Sequence, residues 1–216
     1  MPVAYHPDFG QVVSYDFELV PEAPDAQVRI ACHKLIRWAL EDSSDLVIQQ
    51  QVAGLDPTPQ AVFDWVKPRL RFRQDTHIAE DLQVSDPRKH GVIESFIRPA
   101  DQARLIEARG IGVEDCDGFT GYVACLLTAL NIPCSLVTVA AEGDRPYEFS
   151  HIYVVAYFEG QRIPMDVSHG PHLGWECPHY RIKEWPVCRA SLMPSIFWPL
   201  AFVAALAWFA LKGVVR

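Results

Sequence analysis

The pattern of apolar and polar positions predicts helices in the first part of the chain. In DAQVRIACHKLIRWAL, residues 25–40, apolar side chains recur at close to helical spacing, at Val28, Ala31, Cys32, Leu35 and Leu40. Asp25 is placed to cap this helix. A second, short helix is expected around residues 44–54.

A third helix is predicted in DPTPQAVFDWVKPRL. Thr58 can cap it, Pro59 suits its first turn, and Pro68 ends it. Residues 74–112 are polar and irregular by comparison, with one helix expected near residues 99–109. The sequence therefore places its helical elements ahead of the segment in which the chemistry-bearing residues begin.

The apolar pattern changes its period after residue 115. As a helix, residues 116–130 align one apolar stripe, made by Cys116, Phe119, Val123, Leu126, Leu127 and Leu130. The β-branched and aromatic runs that follow, CSLVTVAA, SHIYVVAYF and QRIPMDV, predict strands separated by turns. A central helix followed by an antiparallel sheet is typical of an α+β fold.

The two ends of the chain differ from this central part. Residues 1–24 predict an extended arm, and residues 25–189 the main domain. Residues 190–211 contain no charged residue and as a helix could reach roughly 30 Å, about one bilayer core. We interpret residues 190–212 as a hydrophobic, transmembrane helix. A helix buried against another subunit is the alternative, since two prolines early in the run shorten its helical part.

Charge and cysteine usage narrow the functional classes. The 216 residues carry a net charge of -8 and no Lys/Arg-rich block, which argues against a nucleic-acid-binding protein. None of the six cysteines forms a CxxC pair, and the N-terminus lacks the pattern of a signal peptide. We therefore expect reduced thiols and a membrane-associated protein whose main domain lies in the cytoplasm.

Cys116 is the first candidate for chemistry because it begins the central helix. A helix N-terminus supplies partial positive charge and N–H groups, both of which favour a thiolate. Asp115 is expected to cap the helix and Asp117 to lie in its first turn, where the helix dipole favours a carboxylate. A nucleophilic cysteine also needs a base within reach and a group that orients this base.

The strands supply both of these groups. If Glu159 and Gly160 form a two-residue hairpin turn, Tyr153 pairs with Asp166. Asp166 then lies on the same face as His151, at a diagonal position from which a carboxylate can reach the imidazole. A register slip of one residue would move Asp166 to the opposite face.

Each of these residues also has an ordinary structural explanation. A cysteine at a helix start is commonly a small buried side chain, and a histidine at a strand start is commonly half-exposed and hydrogen-bonded. Their joint occurrence favours a catalytic group, but order and spacing alone leave both interpretations open.

Three stretches of the sequence resemble the transglutaminase-like superfamily of papain-like cysteine enzymes. They are AVFDWVKPRLRFRQD, VEDCDGFTGYVACLLTALNIPCSLVTV and FSHIYVVAYFEGQRIPMDVS, within roughly residues 55–178. Cys116, His151 and Asp166 match the nucleophile, the base and the orienting carboxylate of that family. Glu114 departs from the pattern, because many relatives have glycine there. The segment HLGWE is similar to members encoded by phages and prophages.

The resemblance implies a papain-like core and acyl transfer through a thioester on Cys116, with a protein, peptide or peptidoglycan-type amide as substrate. The backbone N–H of Cys116 and the side chain of Gln74 are the candidate oxyanion donors. No cofactor and no catalytic metal are implied. Water as acceptor would make the protein a peptidase or amidase, and an amine would make it a transglutaminase.

Two other interpretations stay open. The segment SHGPHLGWECPHY contains zinc-type ligands, namely His169, His172, Cys177 and His179, with Cys188 later, but their spacing fits no regular zinc pattern, and the alternative is a His-rich loop beside the active site. A papain-like scaffold can also serve a non-catalytic, structural role. With an apolar tail, such a protein would suit a virion, in which it would assemble with other virion proteins.

Overall fold

The computed structural model describes residues 3–5, 12–14, 16–19, 24–75, 77–78 and 93–188. The described residues form helices α1 (Pro24–Asp42), α2 (Leu46–Val52), α3 (Pro59–Val66), α4 (Pro99–Arg109) and α5 (Cys116–Ala129). They also form strands β1 (Val3–Tyr5), β2 (Val12–Ser14), β3 (Asp16–Leu19), β4 (Leu70–Phe72), β5 (Ile93–Phe96), β6 (Gly112–Glu114), β7 (Cys134–Ala140), β8 (His151–Phe158), β9 (Gln161–Met165) and β10 (Arg181–Pro186). The fold is α+β with an antiparallel sheet, as the sequence predicted.

Local sequence signals explain where the helices begin and end. The Thr58 side chain accepts a hydrogen bond from the Ala61 N–H at 3.2 Å, and Pro59 occupies the first position of α3, so the predicted cap and first turn are confirmed. α4 ends at Gly110, whose φ of 76° is a left-handed conformation that glycine adopts without strain. α1 begins at Pro24, two residues earlier than a cap at Asp25 would allow, so the predicted cap is wrong and Asp25 lies in the first turn.

Helix α5 is the centre of the hydrophobic core. Its residues from Asp117 to Leu127 are all buried, so it is enclosed on every side instead of presenting one apolar stripe. α1, α2, α3 and α4 pack against it, and β8 packs against it from the sheet. The Tyr122 hydroxyl donates to Gln51 Oε1 at 2.5 Å, which ties α5 to α2. A helix held in this way gives its first residue a fixed position.

The main sheet has the strand order β10-β7-β8-β9, with antiparallel neighbours. Phe158 pairs with Gln161 across a turn in which Glu159 has a φ of 51° and Gly160 a φ of 76°. Positive φ at both central residues is the signature of a type I′ hairpin. The turn and the register on which the position of Asp166 depended are therefore confirmed.

Shorter strands connect the rest of the described chain. β1 pairs with β2, β3 with β5, and β4 runs parallel to β6. The segment expected to be an extended arm, residues 1–24, thus contributes β3 to a pair with β5, which lies inside the predicted main domain.

The predicted hydrophobic helix, residues 190–212, lies outside the described residues. Within the described part of the chain, no helix combines the length and the apolar character that crossing a bilayer requires.

Candidate active site

Cys116 is the first residue of α5 and is partly buried. Asp115 is the N-cap, since its Oδ1 accepts the Asp117 N–H at 2.9 Å. Asp117 lies in the first turn. The predicted roles of both aspartates are therefore confirmed, and the thiol stands where helix N–H groups favour its ionised form.

His151 and Asp166 are in direct contact. His151 Nε2 lies 2.7 Å from Asp166 Oδ2, and the two side chains are 8% and 0% exposed. Burial opposes ionisation of Asp166, but hydrogen bonds from His151, the His169 N–H and Ser168 outweigh it and hold the pKa of Asp166 below its usual range. An ionised carboxylate only accepts hydrogen bonds, so the proton of this contact resides on Nε2 and Nδ1 is the other ring nitrogen.

The loop after β9 fixes the orientation of Asp166. Asp166 Oδ1 accepts from Ser168 Oγ and from the His169 N–H, each at 3.0 Å. Lys67 Nζ donates to the carbonyls of Val167 and Gly170, both at 2.9 Å, and so joins this loop to the end of α3. The loop therefore holds Asp166 through Oδ1, and this leaves Oδ2 to orient the imidazole.

The start of α5 lies against the start of β8. The Thr120 hydroxyl, one turn after Cys116, is 2.7 Å from the Cys116 carbonyl and 3.2 Å from the Ile152 carbonyl. Burial raises the pKa of Asp115, and the nearby charge of His151 partly opposes that rise. The N-terminal end of the helix and the His151–Asp166 pair thus occupy one region of the molecule.

Gln74 follows β4, the strand that pairs with β6 just before the start of α5. Phe72 and Glu114 are the last paired residues, and the Arg73 N–H donates to the Glu114 carbonyl at 3.0 Å. Gln74 and Cys116 each lie two residues beyond that last pair, so both belong to segments that leave the same end of the two strands. The Gln74 side chain is exposed.

A group of three carboxyls, which the sequence pattern did not reveal, includes the two residues that directly precede Cys116. Single oxygens of Asp75, Glu114 and Asp115 all lie within 4.8 Å of one another. Glu114 is 0% exposed, and within the described structure its Oε2 has no hydrogen-bond partner. Burial, followed by the charges of Asp75 and Asp115, raises the pKa of Glu114 well above its usual value. Gly118 leaves room for this side chain, because a Cβ there would lie 1.5 Å from Glu114 Cγ.

Two further side chains beside the pair were not assigned to this site from the sequence. The His169 ring centroid lies 4.7 Å from that of His151, and Ser168 Oγ lies 2.9 Å from His169 Nδ1. Burial, and then the charge of His151, lowers the pKa of His169. Cys177 presents its Sγ within 4.8 Å of ligand atoms of both His151 and Asp166. The sequence indicated a His-rich loop beside the active site, but not that His169 and Cys177 would be the residues of this segment next to His151.

Two other zinc-type residues of this segment, His172 and His179, make contacts with nearby backbone carbonyls instead. His172 Nδ1 lies 2.9 Å from the Leu173 carbonyl, and His179 Nδ1 lies 2.8 Å from the Cys177 carbonyl. Of the zinc-type residues in this segment, only Cys177 belongs to a potential metal-binding group among the described residues.

Three of the other cysteines, Cys32, Cys125 and Cys134, are buried in the core. All six cysteines lie in the described part of the chain, and no disulfide joins any two of them. Burial raises the pKa of Cys32 and of Cys134 to about 12, and it raises that of Cys125 well above its ordinary value. These three thiols are core residues and are suited to packing, not to chemistry.

Comparison with known proteins adds little to this description. No protein-family model matches the chain, and no curated protein does either. Among solved structures, the fold is similar to a chain from Cytophaga hutchinsonii whose name designates it a candidate cysteine protease. The similarity covers 72% of this chain and 49% of that one, or about half its length, at a TM-score of 0.40 and 16% identity. A similarity of this degree supports no conclusion about the activity of this chain.

Proposed function

We propose that the protein is a transglutaminase-like cysteine hydrolase or acyltransferase that works through Cys116, His151 and Asp166. The contact of 2.7 Å between His151 Nε2 and a fully buried, ionised Asp166 carries this proposal. A carboxylate of this kind holds the imidazole in one orientation and stabilises its charged form. The Thr120 contact that joins the start of α5 to β8 supports Cys116 as the third member.

Cys177 is the competing thiol, because it also lies near His151. Burial and the negative charge of Asp166 raise the pKa of Cys177, so its thiolate is disfavoured. Cys116 instead begins a helix that has a proper N-cap. Since the thiolate is the attacking species, this difference favours Cys116 as the nucleophile.

The proposed reaction begins when His151 Nδ1 takes the Cys116 proton. The sulfur attacks the amide carbonyl carbon, a C–S bond forms, and the C–N bond breaks as the imidazolium gives its proton to the leaving amine. The resulting thioester is then attacked by water or by a second amine, whose proton passes to the free imidazole, and the C–S bond breaks to restore the Cys116 sulfur. Asp166 keeps the imidazole aligned throughout.

The negative charge that develops on the substrate oxygen needs hydrogen-bond donors. The backbone N–H of Cys116 and the side-chain amide of Gln74 are the proposed pair. Gln74 and Cys116 both follow the same end of the paired strands β4 and β6, which supports this assignment. The exposed position of Gln74 lets its side chain meet a substrate that binds at the surface.

The proposal is tested with peptide, isopeptide and peptidoglycan substrates, each with and without an added amine. We expect turnover that disappears in Cys116→Ala and persists in Cys177→Ala, and the product then distinguishes hydrolysis from transamidation. Thiol-dependent turnover that survives Cys116→Ala and is lost in Cys177→Ala would assign the nucleophile to Cys177. Absence of turnover and of acyl-enzyme with every substrate would favour a non-catalytic structural protein on the same scaffold.

We further propose that the domain works at a membrane or in a virion, held there by residues 190–212. The uncharged run in the sequence supports this placement. Sedimentation of the full chain with lipid vesicles tests it, with a variant that ends at residue 189 as control. Equal sedimentation of the two forms would contradict the placement at a membrane.

A further inference from the structure

Cys177 has no role in the proposed acyl transfer, yet it lies at the His151–Asp166 pair. An imidazole nitrogen of His151, a carboxylate oxygen of Asp166 and Cys177 Sγ all lie within 4.8 Å of one another. Three side chains of different chemistry therefore converge on one point. The combination of N, O and S donors is that of a zinc site.

The segment that carries Cys177 is held in place by specific contacts. The Tyr153 hydroxyl donates to Glu176 Oε1 at 2.7 Å, and Arg162 forms an ion pair with the same oxygen at 2.9 Å. Tyr153 is buried on the face of β8 that carries His151. The Gly174 N–H donates to the Pro164 carbonyl at 2.9 Å, which ties the start of this segment to β9.

Cys177 also packs against the small apolar cluster on this face of the sheet, formed by Val137, Val139, Tyr153 and Val155. Its thiol is partly exposed, whereas Asp166 is fully buried. The three candidate ligands thus come from elements that are fixed before any ion binds, and Cys177 provides the side from which an ion can enter.

We propose that His151, Asp166 and Cys177 bind Zn²⁺ and that bound zinc reversibly inhibits the enzyme. The inhibitory part rests on the proposed function, since it assumes that His151 is the catalytic base. Zinc on His151 and Asp166 would replace the hydrogen bond that orients the imidazole. A neutral imidazole that binds zinc through Nε2 carries its one proton on Nδ1, so it can no longer take the proton of Cys116.

Size and charge are compatible with this site. Zinc takes ligands at about 2.0–2.3 Å, so tetrahedral ligand atoms stand roughly 3.3–3.7 Å apart. The present separations, up to 4.8 Å, need only small side-chain movements to reach these values. A thiolate, a carboxylate and a neutral imidazole balance the two positive charges of the ion. The Cys177 proton is released to solvent, because a metal-bound thiol is deprotonated, and the fourth position is open to water.

The binding experiment uses the full chain after removal of metals, titrated with Zn²⁺ and, separately, with Co²⁺ as a spectroscopic probe. We expect one equivalent to bind and the cobalt form to show thiolate-to-metal charge-transfer absorption in the near ultraviolet. Cys177→Ala should weaken binding by at least about 10-fold and abolish the absorption band. Cys188→Ala, an exposed thiol beyond the opposite end of β7, is the matched control and should bind as the unaltered protein does.

Cys116→Ala separates this site from the proposed function. We expect it to retain metal binding and the cobalt band, because its thiol is not a ligand. Unchanged binding and an unchanged band in Cys177→Ala would overturn the proposal, as would their loss in Cys116→Ala alone. If no substrate is turned over but the band depends on Cys177, the proposed function fails and the zinc site stands. If turnover is found, its inhibition by zinc should weaken at least about 10-fold in Cys177→Ala, and equal inhibition of both forms would refute the regulatory role.

Discussion

The Glu114→Gln substitution should make the protein less sensitive to alkaline pH. Glu114 is fully buried, and oxygens of Asp75 and Asp115 lie within 4.8 Å of its carboxyl. At that separation and an effective dielectric constant of about 20, one ionised neighbour costs an ionised Glu114 roughly 3 kcal/mol. Glutamine keeps the shape of the side chain and cannot ionise, so it removes this repulsion.

Proton linkage determines whether the free energy of unfolding rises or falls with pH. Burial and the two neighbouring carboxyls raise the pKa of Glu114, so the folded chain holds a proton that the unfolded chain has already lost. The stabilisation is complete below the unfolded pKa of about 4.3 and is lost as pH rises through the folded pKa. Over the range in which the two states differ by one proton, the free energy of unfolding falls by about 1.4 kcal/mol per pH unit.

Urea denaturation between pH 4.5 and 8.5 measures the effect. We expect Glu114→Gln to gain on the order of 2–3 kcal/mol relative to the unaltered protein between the ends of this range. Glu107→Gln is the control, because Glu107 is an exposed acid on α4. Parallel pH profiles for Glu114→Gln and the unaltered protein would refute the assignment of a protonated, buried Glu114.

Three further substitutions test how the site is held. Thr120→Val removes the hydroxyl contact from α5 to the Ile152 carbonyl and should lower kcat/KM roughly 10-fold or more through misplacement of the helix start. Thr128→Val removes contacts at the far end of α5, to the carbonyl four residues earlier and to the Cys134 thiol, and should leave kcat/KM within about 2-fold; equal effects of the two would argue against this positioning role. Asp166→Asn should reduce kcat by on the order of 10³–10⁴-fold with little unfolding, because it favours the wrong imidazole tautomer; near-normal kcat would remove Asp166 from the mechanism. Gly118→Ala should cost about 1–3 kcal/mol in thermal or urea unfolding through its clash with Glu114, and Glu114→Gly in the same chain should recover most of that loss; no recovery would show that the clash lies elsewhere.

The hairpin is the part of the site that the sequence specifies most directly. A two-residue turn at Glu159 and Gly160 leaves one register, and that register brings Asp166 to His151. The caps Thr58 and Asp115 are local signals of the same kind, since each acts on N–H groups two or three residues away. Interactions of this short range can be inferred from residue type and spacing.

The sequence pattern did not predict strands that depend on distant partners. β10 is exposed along most of its length, and its three charged and three apolar residues do not alternate strictly. Its position at the sheet edge is set by β7, some forty residues earlier. β4 and β6 are three residues each and gain their hydrogen bonds only through parallel pairing. Segments this short carry too little periodicity to predict a strand.

The surroundings of the candidate site were also beyond the sequence. Glu114 is an acidic residue in a segment that could equally have been a solvated loop, and its complete burial follows from the packing of β6 beneath α5. Cys177 lies near His151 because Tyr153 and Arg162 hold the neighbouring Glu176. The spacing of these residues in the sequence does not predict such contacts. Tertiary contacts decide both positions.

Site-resolved labelling tests the central claim, that Cys116 is the nucleophile, most directly. The full chain is treated with a peptide-like thiol electrophile near pH 7, and mass spectrometry follows the labelling rate of each cysteine. We expect Cys116 to react fastest, to slow by at least about 100-fold in His151→Ala, and to keep its rate in Cys177→Ala. Labelling that occurs first at Cys177, or a Cys116 rate no higher than that of the exposed Cys188, would contradict the account.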